Sequence, residues 1–216
     1  MMGDRNYRDL INNAINSIGR ELEVDIDGAD VDTVHLSEVV QCMRRSYFDR
    51  LDPVPTEHSG FNDLLAGMLR KLHYGVETKD YELDGAKLKG QADMLIDDAI
   101  LLFRSAAQPP QNPLAKDLLY LNACMWLYSA TEGIVIYITG DRQETSFSLT
   151  KNKRMFEETI RRFRVLRNLL KEKKIPILEP SEDCSSCQYY GRCYAREKVG
   201  KTISLMSLIG VNKEKA

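Results

Sequence analysis

Neither sign of charge is in surplus in this chain: 30 lysines and arginines face 32 aspartates and glutamates over 216 residues, for a net charge of −2. That balance excludes a general electrostatic attraction to nucleic acid, so any basic surface has to be local. Long hydrophobic runs are missing too. The most apolar stretches, ILLF, ACMWLY and IVIYI, are far too short to span a bilayer. The opening MMGDRNYRDL has neither the apolar core of a secretory signal nor the Arg/Ser-rich, acid-poor character of a transit peptide. A soluble, cytoplasmic protein with no membrane partner is expected. Repeats and low-complexity tracts are also absent. Cysteine is sparse, and its total of five is odd, which argues against a simple disulfide framework. Under reducing conditions, clustered thiols favour metal.

Three of the five do cluster. Cys184, Cys187 and Cys193 read C-x2-C-x5-C in the run EDCSSCQYYGRCYAR, and a fourth, Cys42, lies far upstream in SEVVQCMRRSYF. Four thiolates complete a tetrahedral zinc site or ligate a cubane iron–sulfur cluster. Such a site would tie the two ends of the chain into one body. The fifth, Cys124, sits in the apolar run ACMWLY and reads as a buried core residue.

A chain of this length suits one domain with a proper core. Helical spacing of apolar residues is found over 5–20, from Ser37 as cap toward Pro53, over 60–74, over 115–129 and over 151–174. Strand patterns cover 77–84, 86–96, 99–105, 133–139 and 144–149, with a tight turn at Asp97-Asp98. The first three strands are expected to form a meander. Residues 1–34 read as an N-terminal helix with an acidic connection, 35–196 as the main α/β domain, and 197–216 as a tail. The tail's ISLMSLI segment could dock on a partner groove or fold back on its own domain.

Four stretches carry a family resemblance: S-x4-C-x-R-R-x-Y-F at 37–48, G-x-x-D at 90–93, the LNACMWLY helix, and the cysteine triplet. With the order of elements, they make residues 35–196 resemble the RecB-like PD-(D/E)xK nucleases, most of all the iron–sulfur CRISPR-associated exonuclease ("Cas four") family. The resemblance implies a restriction-endonuclease-like core. It also implies a [4Fe–4S] cluster on Cys42, Cys184, Cys187 and Cys193.

The catalytic half of that pattern is degenerate. Hydrolysis by this fold needs carboxylates on a divalent metal and a lysine near the attacking water. Asp93 falls on the first acidic ligand, but Leu102 stands where glutamate is required and Arg104 where lysine is required. Tyr120 and Cys124 occupy the Q-x3-Y positions, and Lys71 takes the upstream histidine's place, with His73 two residues away. Leucine cannot ligate a metal, and arginine cannot surrender a proton near neutral pH. No magnesium or manganese is expected, and Arg104 is expected to pair with Asp93 in the metal's place. The reading that follows is an inactive nuclease-fold protein that binds DNA or a nucleoprotein partner in CRISPR adaptation or DNA repair. One alternative is an active exonuclease whose lost carboxylate has migrated to Asp63 or Asp117. Another is a zinc-stabilised interaction scaffold. Candidate DNA contacts are Arg154, Arg161 and Arg162 on the basic 151–174 helix, extended by Arg44 and Arg45. Tyr189 and Tyr190 either stack on unpaired bases or shield the cysteine site.

Overall fold

The structure is a computed structural model that describes residues 26–54 and 76–195. The helices expected over 5–20 and 60–74 and the tail from 197 lie outside the described residues, as do Asp63, Lys71 and His73. The chain forms two compact units, 1–176 and 177–216.

The described residues of the first unit are mixed α/β and form two sheets. One contains β1 (Thr33–His35), β2 (Lys79–Leu83) and β3 (Ala86–Gly90) in the order β1-β3-β2, with β1 parallel and β2 antiparallel to β3. The β2–β3 hairpin turns on Asp84-Gly85, both at positive φ (51° and 71°), the geometry for which an Asp-Gly pair is suited. The other sheet runs β4 (Met94–Ile96), β5 (Ala99–Ala106), β6 (Glu132–Thr139), β7 (Glu144–Thr150). Its first hairpin turns at Asp97-Asp98 as expected, pairing Ile96 with Ala99. β5 and β6 are parallel, so a crossover must join them. That crossover is the helix Ala115–Leu127.

Two expectations need correcting here. The strands do not form a three-strand meander, and 86–96 is not one strand. The chain leaves one sheet after Gly90 and enters the other at Met94. Gly90 is packed so closely that a Cβ would stand 2.5 Å from Leu127 Cδ1. Beyond it, backbone groups bond side chains instead of a neighbouring strand: the Tyr120 hydroxyl donates to Gln91 O at 2.9 Å, and Ala92 N donates to the Tyr128 hydroxyl at 3.3 Å. The switch brings Asp93 beside β5.

The helix expected from Ser37 to Pro53 is likewise two helices, α1 (Leu36–Val40) and α2 (Met43–Leu51). His35, not Ser37, is the N-cap, and its N–H donates to Glu38 Oε2 at 2.7 Å. The break at Gln41 leaves carbonyls that the helix cannot use. Arg162 supplies the donors, Nε to Val39 O and Nη2 to Gln41 O, both at 2.7 Å.

The crossover helix, α3 (Ala115–Leu127), lies against the second sheet at Gly133, where a Cβ would meet Leu121 Cδ1 at 2.7 Å. Asn152 caps the last helix of this unit, α4 (Lys153–Lys171), accepting from Met155 N at 3.2 Å. Its buried face is Phe156, Thr159, Phe163, Leu166 and Leu170. The apolar spacing of the sequence instead points to Phe156, Ile160, Phe163, Val165 and Leu169; of these Ile160, Val165 and Leu169 are only half-buried. Phe163 and Leu166 join Val39, Leu88, Leu102, Leu121, Met125 and Val135 in the core, all fully buried.

In the second unit a short 3-10 turn, Glu182–Ser186, leads to α5 (Tyr190–Ala195). No helix among the described residues is long and apolar enough to cross a membrane.

Candidate functional site

Strand β5 alternates, so Ile100, Leu102 and Arg104 share one face. Ile100 and Leu102 are fully buried, and Arg104 follows them at the margin of the core with its side chain 19% exposed. Two carboxylates meet its guanidinium. Nη1 stands 3.1 Å from Asp93 Oδ2, from the loop between β3 and β4, and Nε stands 3.0 Å from Asp117 Oδ1, in the first turn of α3. Nη1 also donates to Phe103 O at 2.7 Å. The pairing expected between Arg104 and Asp93 is therefore present, and Asp117 makes it a triad. Tyr120, one turn along α3, lays its ring 5.2 Å from the guanidinium carbon.

Each carboxylate has a further donor. Phe103 N donates to Asp93 Oδ2 at 2.8 Å, and the Tyr137 hydroxyl of β6 donates to Asp117 Oδ2 at 2.6 Å. Tyr137 in turn accepts from Leu114 N at 3.0 Å, which fixes the start of α3. Tyr137 and the placement of Asp117 were not signalled as a pair by sequence, because β6 and α3 are joined only through the fold.

The electrostatics follow from burial and from those charges. Burial pulls the Arg104 pKa down, but Asp93 and Asp117 outweigh it and hold the group above its ordinary value. Burial raises the Tyr120 and Cys124 pKa values; Arg104 pulls both the other way without cancelling the rise, and Asp93 adds to it. Burial and the bond to Asp117 raise Tyr137 as well. None of these groups is poised to take a proton near neutral pH. Asp93, Arg104, Tyr120 and Cys124 are thus brought together, Leu102 lies in the apolar core beneath them, and Lys71 is outside the described residues.

The cysteines divide between the units. Cys42 is the half-buried N-cap of α2. In the second unit Cys184 and Cys187 close the 3-10 turn and Cys193 is buried in α5. Cys184 Sγ accepts from Ser181 N at 3.3 Å with the Ser181 hydroxyl at 3.7 Å, and these two donors lower its pKa by favouring the thiolate. All five thiols are free, and such a set fits a soft-metal or iron–sulfur centre in chemistry. Among the described residues, however, no three His, Cys, Asp or Glu side chains are gathered so as to hold a metal ion. Tyr189 is fully buried and cannot stack on a base; Tyr190 is half exposed, with its ring 4.5 Å from that of Tyr194.

The basic strip on α4 is not a row of open cations. Besides Arg162 at the α1 terminus, Arg161 chelates Glu158 (2.7 and 2.6 Å), Arg164 pairs with Asp84 (2.9 Å), and Arg167 and Lys171 share Asp32 (2.6 and 2.8 Å). Arg154 is exposed and makes no ion pair among the described residues. Arg44 Nε donates to Pro176 O at 2.9 Å, and Arg45 lies 3.7 Å from Asp49.

No family model and no curated protein matches the sequence. Among solved structures, the chain is similar to the crystal structure of SSO0001, with a TM-score of 0.60 and 16% identity, covering 86% of this chain and 96% of that one. Looser similarity is found to an alkaline exonuclease, LHK-Exo, from Laribacter hongkongensis (TM-score 0.43, 11% identity, 67% of this chain and 91% of that one). A phage-related exonuclease from Haemophilus somnus 129PT compares likewise (TM-score 0.44, 8% identity, 72% and 97%). The chain is a mixed α/β protein that shares its fold with SSO0001.

Proposed function

We propose that this chain is a restriction-endonuclease-like protein of the RecB-like kind that has lost catalysis and serves as a binding body for DNA or a nucleoprotein partner, in CRISPR adaptation or DNA repair. One observation supports the reading: the Arg104 guanidinium sits between Asp93 and Asp117, at 3.1 and 3.0 Å, and so engages the carboxylate, Asp93, that the resemblance assigns to a divalent metal. A metal-dependent hydrolase needs an open coordination position and a water beside it. A tethered guanidinium offers neither. Leu102, in the glutamate's place, is fully buried and contributes only packing. The purified protein is expected to cleave neither single- nor double-stranded DNA with Mg²⁺ or Mn²⁺. Turnover that disappears in Asp93→Ala would overturn the proposal and favour an active enzyme whose carboxylate has migrated to Asp63 or Asp117.

The cysteines belong to the same proposal. Cys42, Cys184, Cys187 and Cys193 are the ligands we assign to a [4Fe–4S] cluster, supported by their spacing and by the thiolate-favouring donors at Cys184. When bound, the cluster supplies a covalent cross-link between distant parts of the chain. Anaerobically purified protein should be brown, with broad visible absorption that dithionite bleaches. Stoichiometric zinc without iron or labile sulfide, from an iron-replete host, refutes the assignment.

DNA binding, if it uses α4, falls mainly to Arg154, since Arg162 holds the α1 terminus and the residues toward the helix end are ion-paired within the fold. Arg154→Glu with Arg161→Glu is expected to weaken binding alike for unrelated sequences. It should also reduce the salt slope by about 0.9 for each phosphate that the variant no longer neutralises. Mobility shifts at several salt concentrations measure both. An unchanged affinity and slope would turn attention to protein–protein recognition.

A further inference from the structure

Each of the two sheets ends in two edge strands, and a bare edge is a template for another strand. Among the described residues, three of these four edges carry the usual protections. β1 and β4 are three residues long, and β2 sets Lys79, Asp80 and Glu82 along five residues. β7 has neither protection. It is seven residues long, ETSFSLT, without proline, glycine, lysine or arginine, and its one charge, Glu144, stands at its start. Its register with β6 runs from Glu132↔Thr150 to Ile138↔Glu144 with no bulge.

The β6–β7 ladder fixes which backbone groups of β7 it leaves unused. Thr139 N donates to Gln143 O at 3.0 Å at one end of the pairing, and Lys151 N donates to Thr131 O at 3.1 Å at the other. In an antiparallel pair such bonds recur at every second residue. Thr145, Phe147 and Leu149 therefore bond to β6, while Glu144, Ser146, Ser148 and Thr150 turn their N–H and C=O groups to the free edge. Those four residues are exposed. Thr145, Phe147 and Leu149 are half-buried, and the Phe147 ring meets that of Tyr137 edge-on at 6.0 Å.

The strand is also matched to itself. A two-fold axis through Phe147 sets Ser146 opposite Ser148 of a second copy and Glu144 opposite its Thr150. Each outward N–H of the strand then meets a carbonyl, and no like charges are opposed. Phe147 faces its own counterpart in a non-hydrogen-bonded pair, where side chains approach most closely. A contact of this isologous kind closes on itself as a dimer. We propose that β7 is a homodimer seam, at which two copies of this chain pair antiparallel about Phe147 and join their second sheets into one. The proposal is independent of the readings of Arg104 and of the cysteines, none of which lies on β7. A seam of one strand per copy is at the small end of protein interfaces, so a Kd of roughly 10 μM is expected.

Analytical ultracentrifugation of the full chain, from well below that concentration to well above it, should show monomer passing to dimer. Ser146→Lys/Ser148→Lys opposes lysines across the seam and is expected to weaken the dimer by about tenfold or more. Ser146→Glu/Ser148→Glu should do the same with glutamates. Mixed in equal amounts, the two variants should associate again, because each lysine then faces a glutamate. Amide hydrogen exchange gives a second readout on wild type. The Ser146 and Ser148 N–H groups should gain protection as concentration rises, while that of Phe147, bonded to β6, is protected throughout. If either variant fails to fold, the exchange of wild type decides alone. A wild type that stays monomeric overturns the proposal, as does a mixture of folded variants that fails to associate where wild type does. A dimer in which Ser146 and Ser148 exchange as fast as in the monomer also overturns it. Protection of β7 that appears only on adding a different protein would overturn it in favour of a strand from that partner.

Discussion

Truncation of Arg50 to alanine is expected to cost about 3–5 kcal/mol, because it leaves a buried carboxylate without its partner. Arg50 and Glu38 are each 1% exposed at the side chain and meet in two parallel bonds, Nε to Oε1 at 2.6 Å and Nη2 to Oε2 at 2.7 Å. The same guanidinium donates to the carbonyls of Asp27 (3.2 Å), Asp30 and Thr33 (2.6 Å). One side chain therefore fastens the acidic turn at 27–30 and strand β1 onto α1 and α2. Gly28 lies so close beneath that a Cβ would stand 2.5 Å from Arg50 O. Since Cys42 caps α2, which carries Arg44 and Arg45, this clamp also sets the base on which one proposed cluster ligand stands. Denaturant titration should show the midpoint falling with an unchanged slope. Arg50→Met with Glu38→Met should recover much of the loss, since no charge is then stranded. A single variant within about 1 kcal/mol of wild type would show that the pair is not the anchor its burial implies.

How much of this was legible depends on the range over which each interaction acts. Periodicity located α3 and α4 to within a few residues, and the Asp97-Asp98 turn was plain, because these features are local. The break at Gln41 was not legible: the residue that satisfies its carbonyls, Arg162, is 121 positions away. Strand β1 is three residues long and too short for an alternation to register. The switch between sheets after Gly90 was hidden because apolar residues continue at strand spacing on both sides of it. The basic helix α4 read as a strip of candidate DNA contacts, since the carboxylates that engage Arg164 and Arg167, Asp84 and Asp32, lie far upstream in sequence.

At the site the balance differs. The Arg104–Asp93 pair could be anticipated from two motif positions, whereas Asp117 was only one of two candidate carboxylates. Its bond to Tyr137 depends on α3 crossing over to β6, which no local pattern encodes. Glu38 and Arg50 carry no local signal in the sequence, although their buried pair is the strongest ionic feature of the described residues by exposure and geometry. Charged residues are ordinarily assumed to face solvent, and sequence gives no sign when two of them do not.

Placing a glutamate at position 102 tests how far this face of β5 is committed to the packed core. Leu102→Glu is expected to cost about 4 kcal/mol or more at pH 8, through the lost burial of leucine and the introduction of a charge. Leu102 is fully buried beside Val135, its partner on β6, which is fully buried too. Arg104, on the same face two residues on, already serves Asp93 and Asp117, so a third carboxylate would find a donor in use. Burial and the two aspartates should both raise the pKa of the new group in the folded state. The sign follows from linkage: with the folded value above the unfolded one, the neutral form is favoured by folding. The variant is therefore most stable relative to wild type below the unfolded value of about 4.3, and falls behind as pH rises through the folded value. Leu102→Gln, with no charge to titrate, should show a deficit that does not change over the same range. Melting curves of all three proteins from pH 4.5 to 8 decide the matter. A Leu102→Glu protein as stable as wild type at pH 8 would mean that this position accommodates an acid, and the proposed loss of catalysis would then rest on Arg104 alone.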